Sequence, residues 1–503
     1  MSTIDRRTFL IAGTLAAAGV GLAACTPGDD WRRLEASAIE ALRRRVEGVV
    51  LVPGDSGFTN AWMPRNGRYA DTVPQVVVQV AGDEDVATCL EWCGEHGLPV
   101  AVRGGGHNYA GLSTTTGLVL DLSRLSSVRV GPDGVMTVGG AATNADMLEA
   151  TRGGEWLLPG GTCLSVGVGG LVLGGGIGYH SRWAGLTSDH LRSARVVTAT
   201  GNVVTASADE NPDLFWALRG GTGGTFGVCT EFEFEAQRVP RGEIVYYRFA
   251  WTGADAALAM LVALDRILQG APPEFVASAG VQATPVGDDA DGRAAMDVFV
   301  RGQFLGSEED FLAIVAPLLE VGPPPSREVR VEPFWEVAPR FTNPESENHS
   351  WGDISRYADA PLPETALARV VDLVADAPSR TATTNVQFWM MGWVGGAVLD
   401  SVGRTDTAYV HRGMTSLLRP TPVWANLTDA ALVADLEDWT AAVIDELDPH
   451  TPRESYQNFP NRAIEDWPEQ YFAENLGRLR EVKAAWDPRG VFSSAQGLEA
   501  KAR

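Results

Sequence analysis

The stretch VRGGGHNYAG, residues 102–111, sets the fold of the first half of this 503-residue chain. It ends the apolar run GLPVAV, which is typical of a β-strand, and replaces the strand by three glycines and a histidine. Glycine in a strand loses packing and costs conformational entropy, so it occurs where backbone must approach another group closely. The stretch therefore predicts a strand that ends in a loop built for close contact.

A second glycine-rich stretch, LPGGTCLSVGVGGLVLGGGIGYH, covers residues 158–180, and most of the 56 glycines fall between residues 104 and 227. Clustered glycines allow successive backbone N–H groups to converge on an anion, and we expect a pyrophosphate. The chain has no G-x-G-x-x-G fingerprint, so a Rossmann site is not supported, and the absence of a Gly-Lys pair excludes a P-loop. Glycine-rich turns between crowded strands are the alternative explanation.

A nucleophilic side chain lies in each of these glycine loops. His107 follows the first cluster directly, and Cys163 lies inside GGTCLSVG of the second. Backbone N–H dipoles favour a thiolate, and both side chains can form covalent bonds to a cofactor. A single histidine or cysteine is usually structural. Two of them, each in a glycine loop, indicate covalent attachment of a cofactor.

The chain is too long for one core, and the change in glycine density near residue 239 predicts two main domains. Residues 26–69 form a polar, Arg-rich N-terminal segment with helical spacing. Residues 70–238 form the first domain, and residues 239–450 form a second domain of strands and helices. Residues 451–503 are expected to return to the first domain.

The first 25 residues resemble an export signal. Arg6 and Arg7 precede the run IAGTLAAAGVGLAAC, which is shorter than the ~20 residues of a membrane-spanning helix. The arginine pair is similar to a twin-arginine signal, and LAAC ending at Cys25 is similar to a bacterial lipobox. We expect an extracellular or surface-anchored bacterial protein, with plain cleavage and loss of Cys25 as the alternative.

Charge and cysteine content exclude other classes of function. The formal charge is -24 and the chain has only two lysines, which argues against nucleic acid and anionic membranes as partners. Cys89 and Cys93 share one face of a predicted helix, where small buried residues are favoured over a disulfide. The histidines show no ligand spacing, so no metal is predicted.

The motifs together resemble the berberine bridge enzyme-like family, within the vanillyl-alcohol oxidase flavoproteins. PVAVRGGGHNYAG is similar to the family's R-x-G-G-H segment, and residues 158–191 are similar to its G-x-C-x-x-V-G…G-G-G-x-G…G-L-x-x-D segment. DLFWALRGGTGGTFGVCTEF, AYVHR, YQNFPN and DPRGVF follow in family order. The resemblance implies an α+β fold: a PCMH-type FAD-binding domain plus a substrate-binding domain with an antiparallel sheet covered by helices.

The resemblance also implies FAD bound by two covalent bonds. His107 would be joined to the 8α-methyl carbon and Cys163 to ring carbon 6, which would raise the flavin potential. The other cofactor-binding residues that it implies are Arg103, Gly104, Gly105, Gly106, Val166, Gly167, Gly169, Gly170 and Asn458.

The same resemblance assigns the chemistry. Tyr456 of YQNFPN is the expected general base, taking the hydroxyl proton while hydride moves to the flavin. A free tyrosine would need its pKa lowered by about three units to ionise at pH 7, a demand that a nearby arginine or concerted transfer would reduce. A buried aromatic strand is the alternative for this segment. Val166 is at the position of an oxygen gate, where a small residue goes with use of dioxygen.

The sequence also gives expectations for several further residues. Many plant relatives read G-G-G-Y-G where this chain has Ile177, so a second active-site tyrosine is lost. Gln387, Trp389 and Trp393 line the substrate side or pack in the core. His411 and Arg412 of AYVHR are either structural or functional.

The sequence therefore predicts an exported, bicovalent FAD oxidase that acts on an alcohol carbon of a carbohydrate or glycosylated substrate. Dioxygen is the expected acceptor and hydrogen peroxide the product. The alternatives are a secondary-metabolite tailoring oxidoreductase, for oxidative cyclisation or dehydrogenation, and a non-catalytic flavin-carrying surface protein. The sequence leaves the oligomeric state open.

Overall fold

The computed structural model describes residues 34–288, 294–343, 349–378, 384–425 and 429–499. The predicted export signal and Cys25 lie outside the described residues. An N-terminal segment carries α1 (Ala36–Arg45) and α2 (Phe58–Trp62) and leads into a domain with two sheets. A large third sheet follows, so the described chain has the α+β, two-domain organisation that the sequence predicts.

The first sheet has four strands in the order β1-β2-β4-β3: β1 (Val49–Leu51), β2 (Val76–Gln79), β3 (Val100–Arg103) and β4 (Leu118–Asp121). Strands β2, β4 and β3 are parallel, and their near-continuous burial is typical of a parallel sheet covered on both faces. Helix α3 (Asp83–His96) connects β2 to β3 and ends at Gly97, whose φ of 65° is the usual left-handed helix end. Strand β3 runs directly into the glycine loop that opens the sequence analysis.

The second sheet is antiparallel, in the order β5-β6-β10-β8-β9. Its strands are β5 (Val128–Val130), β6 (Val135–Gly139), β8 (Leu191–Val197), β9 (Val203–Ser207) and β10 (Val228–Glu235). The strands β7 (Trp156–Leu157) and β11 (Gln237–Arg238) form a separate antiparallel pair. The helices between them are α4 (Asn144–Thr151), α5 (Val168–Leu173), α6 (Ser181–Ala184) and α7 (Pro212–Ala217). Thr143 and Asp146 form a capping box that begins α4.

The third sheet has eight strands, and all its pairs are antiparallel. The order is β15-β12-β14-β13-β18-β19-β16, with β17 also paired to β19. The strands are β12 (Glu243–Thr252), β13 (Phe275–Asp288), β14 (Ala294–Phe304), β15 (Ser326–Pro333), β16 (His349–Trp351), β17 (Arg356–Ala358), β18 (Thr384–Gly392) and β19 (Ser416–Ala425). The accompanying helices are α8 (Ala254–Gly270), α9 (Glu308–Ile314), α10 (Ala316–Leu319), α11 (Phe334–Val337), α12 (Glu364–Ala375), α13 (Ala397–Asp400) and α14 (Ala430–Leu447).

Helices α8, α12 and α14 cover one face of this sheet and form its largest apolar core. On β18, Phe388 and Met390 belong to that core, whereas Trp389 and Met391 point to the other face. This follows from the two-residue period of a strand, which sends alternate side chains to opposite faces. The uncovered face is therefore free to form one wall of a cavity.

The last described segment returns to the N-terminal domain. Helices α15 (Trp467–Phe472) and α16 (Leu476–Trp486) pack in the core of the second sheet, and Phe492 packs in the core of the first. Cys89 and Cys93 are buried and not bridged on α3, as predicted. None of the described helices is both long and apolar enough to cross a membrane.

Candidate active site

A cavity of about 440 Å³ lies between the loops of the N-terminal domain and the uncovered face of the third sheet. We call its first side the glycine wall, formed by residues 104–106, 167, 169, 170 and 222–225. We call the opposite side the sheet wall, formed by Ser278, Arg301, Trp389, Met391, Trp393 and Arg419. The predicted tether residues and the predicted base all line this one cavity.

The glycine wall depends on backbone packed against backbone. A Cβ added to Gly105 would lie 2.4 Å from the amide nitrogen of Gly167, and a Cβ on Gly167 would lie 2.5 Å from that of Gly105. Backbone atoms cannot move aside as a flexible side chain can, so both positions require glycine. Gly169 is similarly restricted, because its Cβ would lie 2.3 Å from the carbonyl oxygen of Gly140. The two glycine loops therefore form one continuous surface.

His107 and Cys163 are held in this surface by polar contacts. Nε2 of His107 lies 2.7 Å from the hydroxyl oxygen of Ser165, two residues after Cys163. The side-chain amide of Asn144 donates to the carbonyl of Cys163 at 2.9 Å, and Nδ2 of Asn343 lies 3.9 Å from its Sγ. The structure thus brings together two nucleophiles that are 56 positions apart in the chain.

Tyr456 lies between the two walls and is fully buried. Its hydroxyl oxygen accepts a hydrogen bond from the backbone N–H of Gly176 at 3.1 Å and from the side-chain amide of Asn458 at 3.0 Å. Burial raises the pKa of Tyr456 to about 12, although these two donors act in the opposite direction. Burial therefore opposes the lowered pKa of Tyr456 that the sequence analysis considers, and no arginine among the described residues is hydrogen-bonded to Tyr456.

Two further predictions concern residues beside Tyr456. The amide of Asn458 also donates to the carbonyl of Leu171 at 2.9 Å, which fixes its orientation toward the Tyr456 hydroxyl. Val166 and Ile177 both line the cavity, Val166 in the loop that carries Cys163. Asn458 thus positions the tyrosine directly, and its contact with a cofactor stays a prediction.

Arg103 does not line the cavity, and its assignment as a cofactor-binding residue stays a prediction. Its guanidinium is buried behind the loop, donates to the carbonyl of Met63 at 2.8 Å and lies against Gly106. Gly106 has a φ of 74°, which lies in the left-handed region that favours glycine. Arg103 therefore supports the glycine loop from behind.

Three more residues named from the sequence lie away from the cavity lining. Gln387 is on the same face of β18 as Trp389 but outside the cavity lining. His411 is buried and hydrogen-bonded to Glu454 at 2.7 Å, and Arg412 pairs with Asp189. His411 and Arg412 therefore have structural contacts, whereas Trp389 and Trp393 line the cavity.

Several cavity residues were missed by the sequence analysis. Thr222 and Thr225 complete the glycine wall, and residues 492–496 bring the C-terminal segment into it. The doubled glycines of GGTGG were the signal available for the first group. No local signal marks Arg301 or Arg419, because isolated arginines on strands are ordinary surface residues.

The sheet wall is rich in hydrogen-bond donors and aromatic rings. Arg419 lies over the ring of Phe459 at 4.8 Å and pairs with the buried Asp353 at 3.4 Å. Tyr109, from the quoted stretch, stacks on Phe459 with ring centroids 4.9 Å apart. The indole N–H of Trp389 is buried and has no hydrogen-bond partner among the described residues. This wall is suited to a ring-shaped substrate that carries oxygen atoms.

The described lining fits a nucleotide cofactor. It contains no Asp or Glu, although the chain has 64 acidic residues, so no carboxylate would repel a pyrophosphate. Backbone N–H groups of glycine-rich loops such as those of the glycine wall bind phosphate oxygens well. Gly105, Gly167 and Gly169 allow this wall to form, because a Cβ at any of them would clash with a neighbouring backbone atom.

Comparison with known proteins agrees with this reading. The family model for an FAD binding domain matches residues 74–207, and the model described as berberine and berberine like matches residues 455–499. Glucooligosaccharide oxidase of Sarocladium strictum is 30% identical over 455 residues, covering 85% of this chain and 88% of the relative. The chain belongs to the berberine bridge enzyme-like family of FAD-linked oxidases. It is an FAD-dependent oxidase.

Other family members extend the comparison. Chitooligosaccharide oxidase of Gibberella zeae is 28% identical over 504 residues, covering 93% of this chain and 96% of the relative. The solved glucooligosaccharide oxidase of Acremonium strictum has a TM-score of 0.79 at 26% identity, covering 93% of this chain and all of that one. That family member is described as carrying a 6-S-cysteinyl, 8α-N1-histidyl FAD. The similarity over nearly the whole chain confirms the predicted fold.

Proposed function

We propose that this family member binds FAD covalently through both His107 and Cys163 and oxidises an alcohol carbon of a carbohydrate or glycosylated substrate. Dioxygen is the proposed acceptor and hydrogen peroxide the product. The observation that carries the proposal is that His107 and Cys163 line one cavity, where Nε2 of His107 lies 2.7 Å from the hydroxyl oxygen of Ser165, two residues after Cys163. A non-catalytic flavin carrier has no need of the buried Tyr456 at the same cavity.

The contacts of the two proposed tethers suit bond formation. Nε2 of His107 lies 2.7 Å from the Ser165 hydroxyl oxygen, and we assign the flavin bond to Nδ1, in line with the 8α-N1-histidyl FAD described for the glucooligosaccharide oxidase. Asn343 lies on the sheet-wall side of Cys163 and orients its thiol. Covalent bonds of this kind hold the flavin without enclosing it, which leaves the sheet wall available for substrate.

FAD, when bound, supplies the acceptor for the hydride. Tyr456 removes the proton from the hydroxyl oxygen, and the carbon that bears this oxygen loses the hydride and becomes a carbonyl carbon. Bound FAD would supply the route by which the two electrons and two protons reach dioxygen and give hydrogen peroxide. Gly176 and Asn458 donate hydrogen bonds to the tyrosine oxygen and stabilise its ionised form.

The proposed use of dioxygen and the proposed export each rest on a few residues. Val166 lines the cavity in the Cys163 loop, and its small side chain leaves room for dioxygen to approach. The arginine pair Arg6 and Arg7 and the apolar run after it support export of the folded protein by the twin-arginine route. Cys25 is the proposed site of a lipid anchor.

The test is oxidation of a panel of cello-, xylo- and chito-oligosaccharides by the purified full-length protein. We expect release of one hydrogen peroxide for each dioxygen consumed, together with a carbonyl or lactone product. Reduction of the flavin by sugar without peroxide release would show a dehydrogenase. Absence of flavin reduction by every carbohydrate would contradict the proposed substrate class.

A further inference from the structure

The charge of the cavity lining differs from that of the rest of the molecule. The chain has a formal charge of -24, yet the described lining holds Arg301, Arg419 and Arg462 and no carboxylate. Arg462 belongs to the N-terminal side, where it donates to the carbonyl of Ala110 at 2.8 Å. Arg301 and Arg419 stand on the sheet wall, so the substrate side of the cavity also has an excess of cations.

The charge of Arg419 is already balanced. Its Nε lies 3.4 Å from Oδ2 of Asp353, and Asp353 is buried. Asp353 also accepts a hydrogen bond from Thr421 at 3.3 Å. Arg419 and Asp353 therefore form a pair without net charge. Arg419 contributes N–H donors to the sheet wall and a contact with the ring of Phe459.

The charge of Arg301 is not balanced by the described residues. Its Nε donates to the hydroxyl of Tyr179 at 2.9 Å, and its Nη2 lies 3.5 Å from Oδ1 of Asn343. Both partners are neutral, and Arg301 has no ion pair within 4 Å in the described parts of the chain. Tyr179 is itself buried against Phe341 and fixes the guanidinium in place. A partly buried and oriented guanidinium that has no carboxylate partner among the described residues is suited to bind an anion.

The position of Arg301 shows which part of the cavity it serves. It contacts Asn343, whose Nδ2 lies 3.9 Å from Sγ of Cys163, the proposed tether to the flavin ring. Ser278, its partner in the register of β13 and β14, also lines the cavity. Arg301 therefore lies at the end of the cavity where the substrate reacts, and the glycine wall serves the phosphates.

We propose that Arg301 binds a carboxylate of the substrate and that this oxidase acts on acidic sugars, namely uronate-containing oligosaccharides. This inference rests on the proposed function, since it names the substrate class of the same site. A guanidinium binds a carboxylate through two parallel hydrogen bonds, which neutral sugars cannot replace. The neutral Trp389 indole N–H and the Arg419 pair would bind the hydroxyl groups of the same substrate.

The test compares each acid with its own methyl ester, which keeps the sugar and removes only the charge. The probes are the disaccharides of galacturonate and of glucuronate, each as free acid and methyl ester. The native holoenzyme is expected to show a kcat/KM at least about 10-fold higher for one of the acids than for its ester. In Arg301→Gln that ratio falls to near one, and in Arg301→Lys it lies between these values.

Arg248→Gln is the matched control. Arg248 pairs with Arg301 across β12 and β14 and is also partly buried, but it does not line the cavity. The acid-to-ester ratio is expected to be unchanged in this variant. An equal ratio in native enzyme and Arg301→Gln, or a native preference for the esters, overturns the inference and leaves the carbohydrate oxidase proposal intact.

Calorimetric titration of the same probes separates the two proposals. If no sugar yields peroxide but the native protein binds an acid more tightly than its ester, and Arg301→Gln abolishes the difference, the anion site stands and the oxidase proposal fails. If no disaccharide is oxidised and acid and ester bind equally, the assignment of Arg301 is wrong.

Discussion

The two walls of the cavity are built by different means. The glycine wall uses backbone: Gly105 and Gly167 approach so closely that no side chain fits between the loops. The sheet wall uses side chains from separate strands, among them Arg301 and Trp389. The glycine wall is made of short sequence segments, whereas the sheet wall is assembled only by strand pairing.

This difference separates the part of the cavity that suits the cofactor phosphates from the part whose side chains face the substrate. Backbone N–H groups and glycines bind a phosphate in the same way in any chain that keeps the loops. Side chains on a sheet face can change one by one without altering the fold, because each faces the cavity independently. The glycine wall therefore fits the family's FAD, and we propose that the sheet wall selects the substrate of this chain.

Tyr456 lies where the walls meet, and its substitution gives the largest expected effect. Tyr456→Phe removes the oxygen that accepts from Gly176 and Asn458, so the rate of flavin reduction should fall about 10²- to 10⁴-fold. Flavin incorporation should be unchanged. Anaerobic stopped-flow measurement of flavin bleaching by substrate checks this. Tyr357→Phe, a buried tyrosine outside the cavity, is the control.

The pH dependence sharpens the same prediction. Because burial raises the pKa of Tyr456 to about 12, the ionised form increases with pH throughout the neutral range. The reduction rate should rise about tenfold per pH unit between pH 7 and 9 in the native enzyme and lose this slope in Tyr456→Phe. An unchanged rate in Tyr456→Phe, or a native plateau from pH 7, would remove Tyr456 as the base.

The glycine wall also depends on a buried ion pair at its back. Nζ of Lys483 donates to the carbonyls of Thr225 and Phe492 and pairs with Asp487 at 2.7 Å. Lys483→Met would leave Asp487 buried and unpaired, which should lower the free energy of unfolding by about 3–5 kcal/mol. Urea unfolding followed by tryptophan fluorescence measures this.

The control for Lys483 is Arg480→Met on the same helix, which is expected to change stability by less than about 0.5 kcal/mol. Flavin content should fall with stability in Lys483→Met, because Thr225 and Phe492 both line the cavity. A fully stable Lys483→Met protein with normal flavin content would show that the glycine wall holds its shape without this pair.

Substitution at the contact between the two glycine loops is expected to give the smallest effect. Gly105→Ala would place a Cβ 2.4 Å from the amide nitrogen of Gly167, so we expect a loss of about 1–3 kcal/mol and reduced flavin content. Gly94→Ala on α3, where nothing lies within 4 Å of the new Cβ, should be neutral or stabilising. Thermal unfolding and the flavin-to-protein absorbance ratio compare the pair. Equal behaviour of the two variants would contradict the close packing.

The glycine wall was largely predictable from the sequence, and the sheet wall was not. His107, Cys163 and Tyr456 lie in local motifs whose neighbours in sequence are also neighbours in space. Arg301 and Arg419 lie on strands far apart in the chain, and their meeting depends on the register of four strands. A shift of one residue would turn either arginine to the other face.

Two particular residues show the limit of pattern reasoning. Gln387 shares a face of β18 with Trp389, as the strand period predicts, yet it lies outside the cavity lining. Arg103 sits in the motif beside the glycines, but its side chain passes behind the loop to Met63. The period of a strand predicts which face of the sheet a residue lies on. Only the packed structure shows where the cavity ends along that face and in which direction a long side chain extends.

The central claim is that the glycine wall holds one FAD by two covalent bonds. Intact-mass spectrometry of acid-denatured protein tests it most directly, on the native chain and on His107→Ala, Cys163→Ala and the double variant. We predict one added FAD mass in the native protein and in each single variant, and bare polypeptide in the double variant. Bare polypeptide from a native chain purified with its yellow colour would contradict the claim.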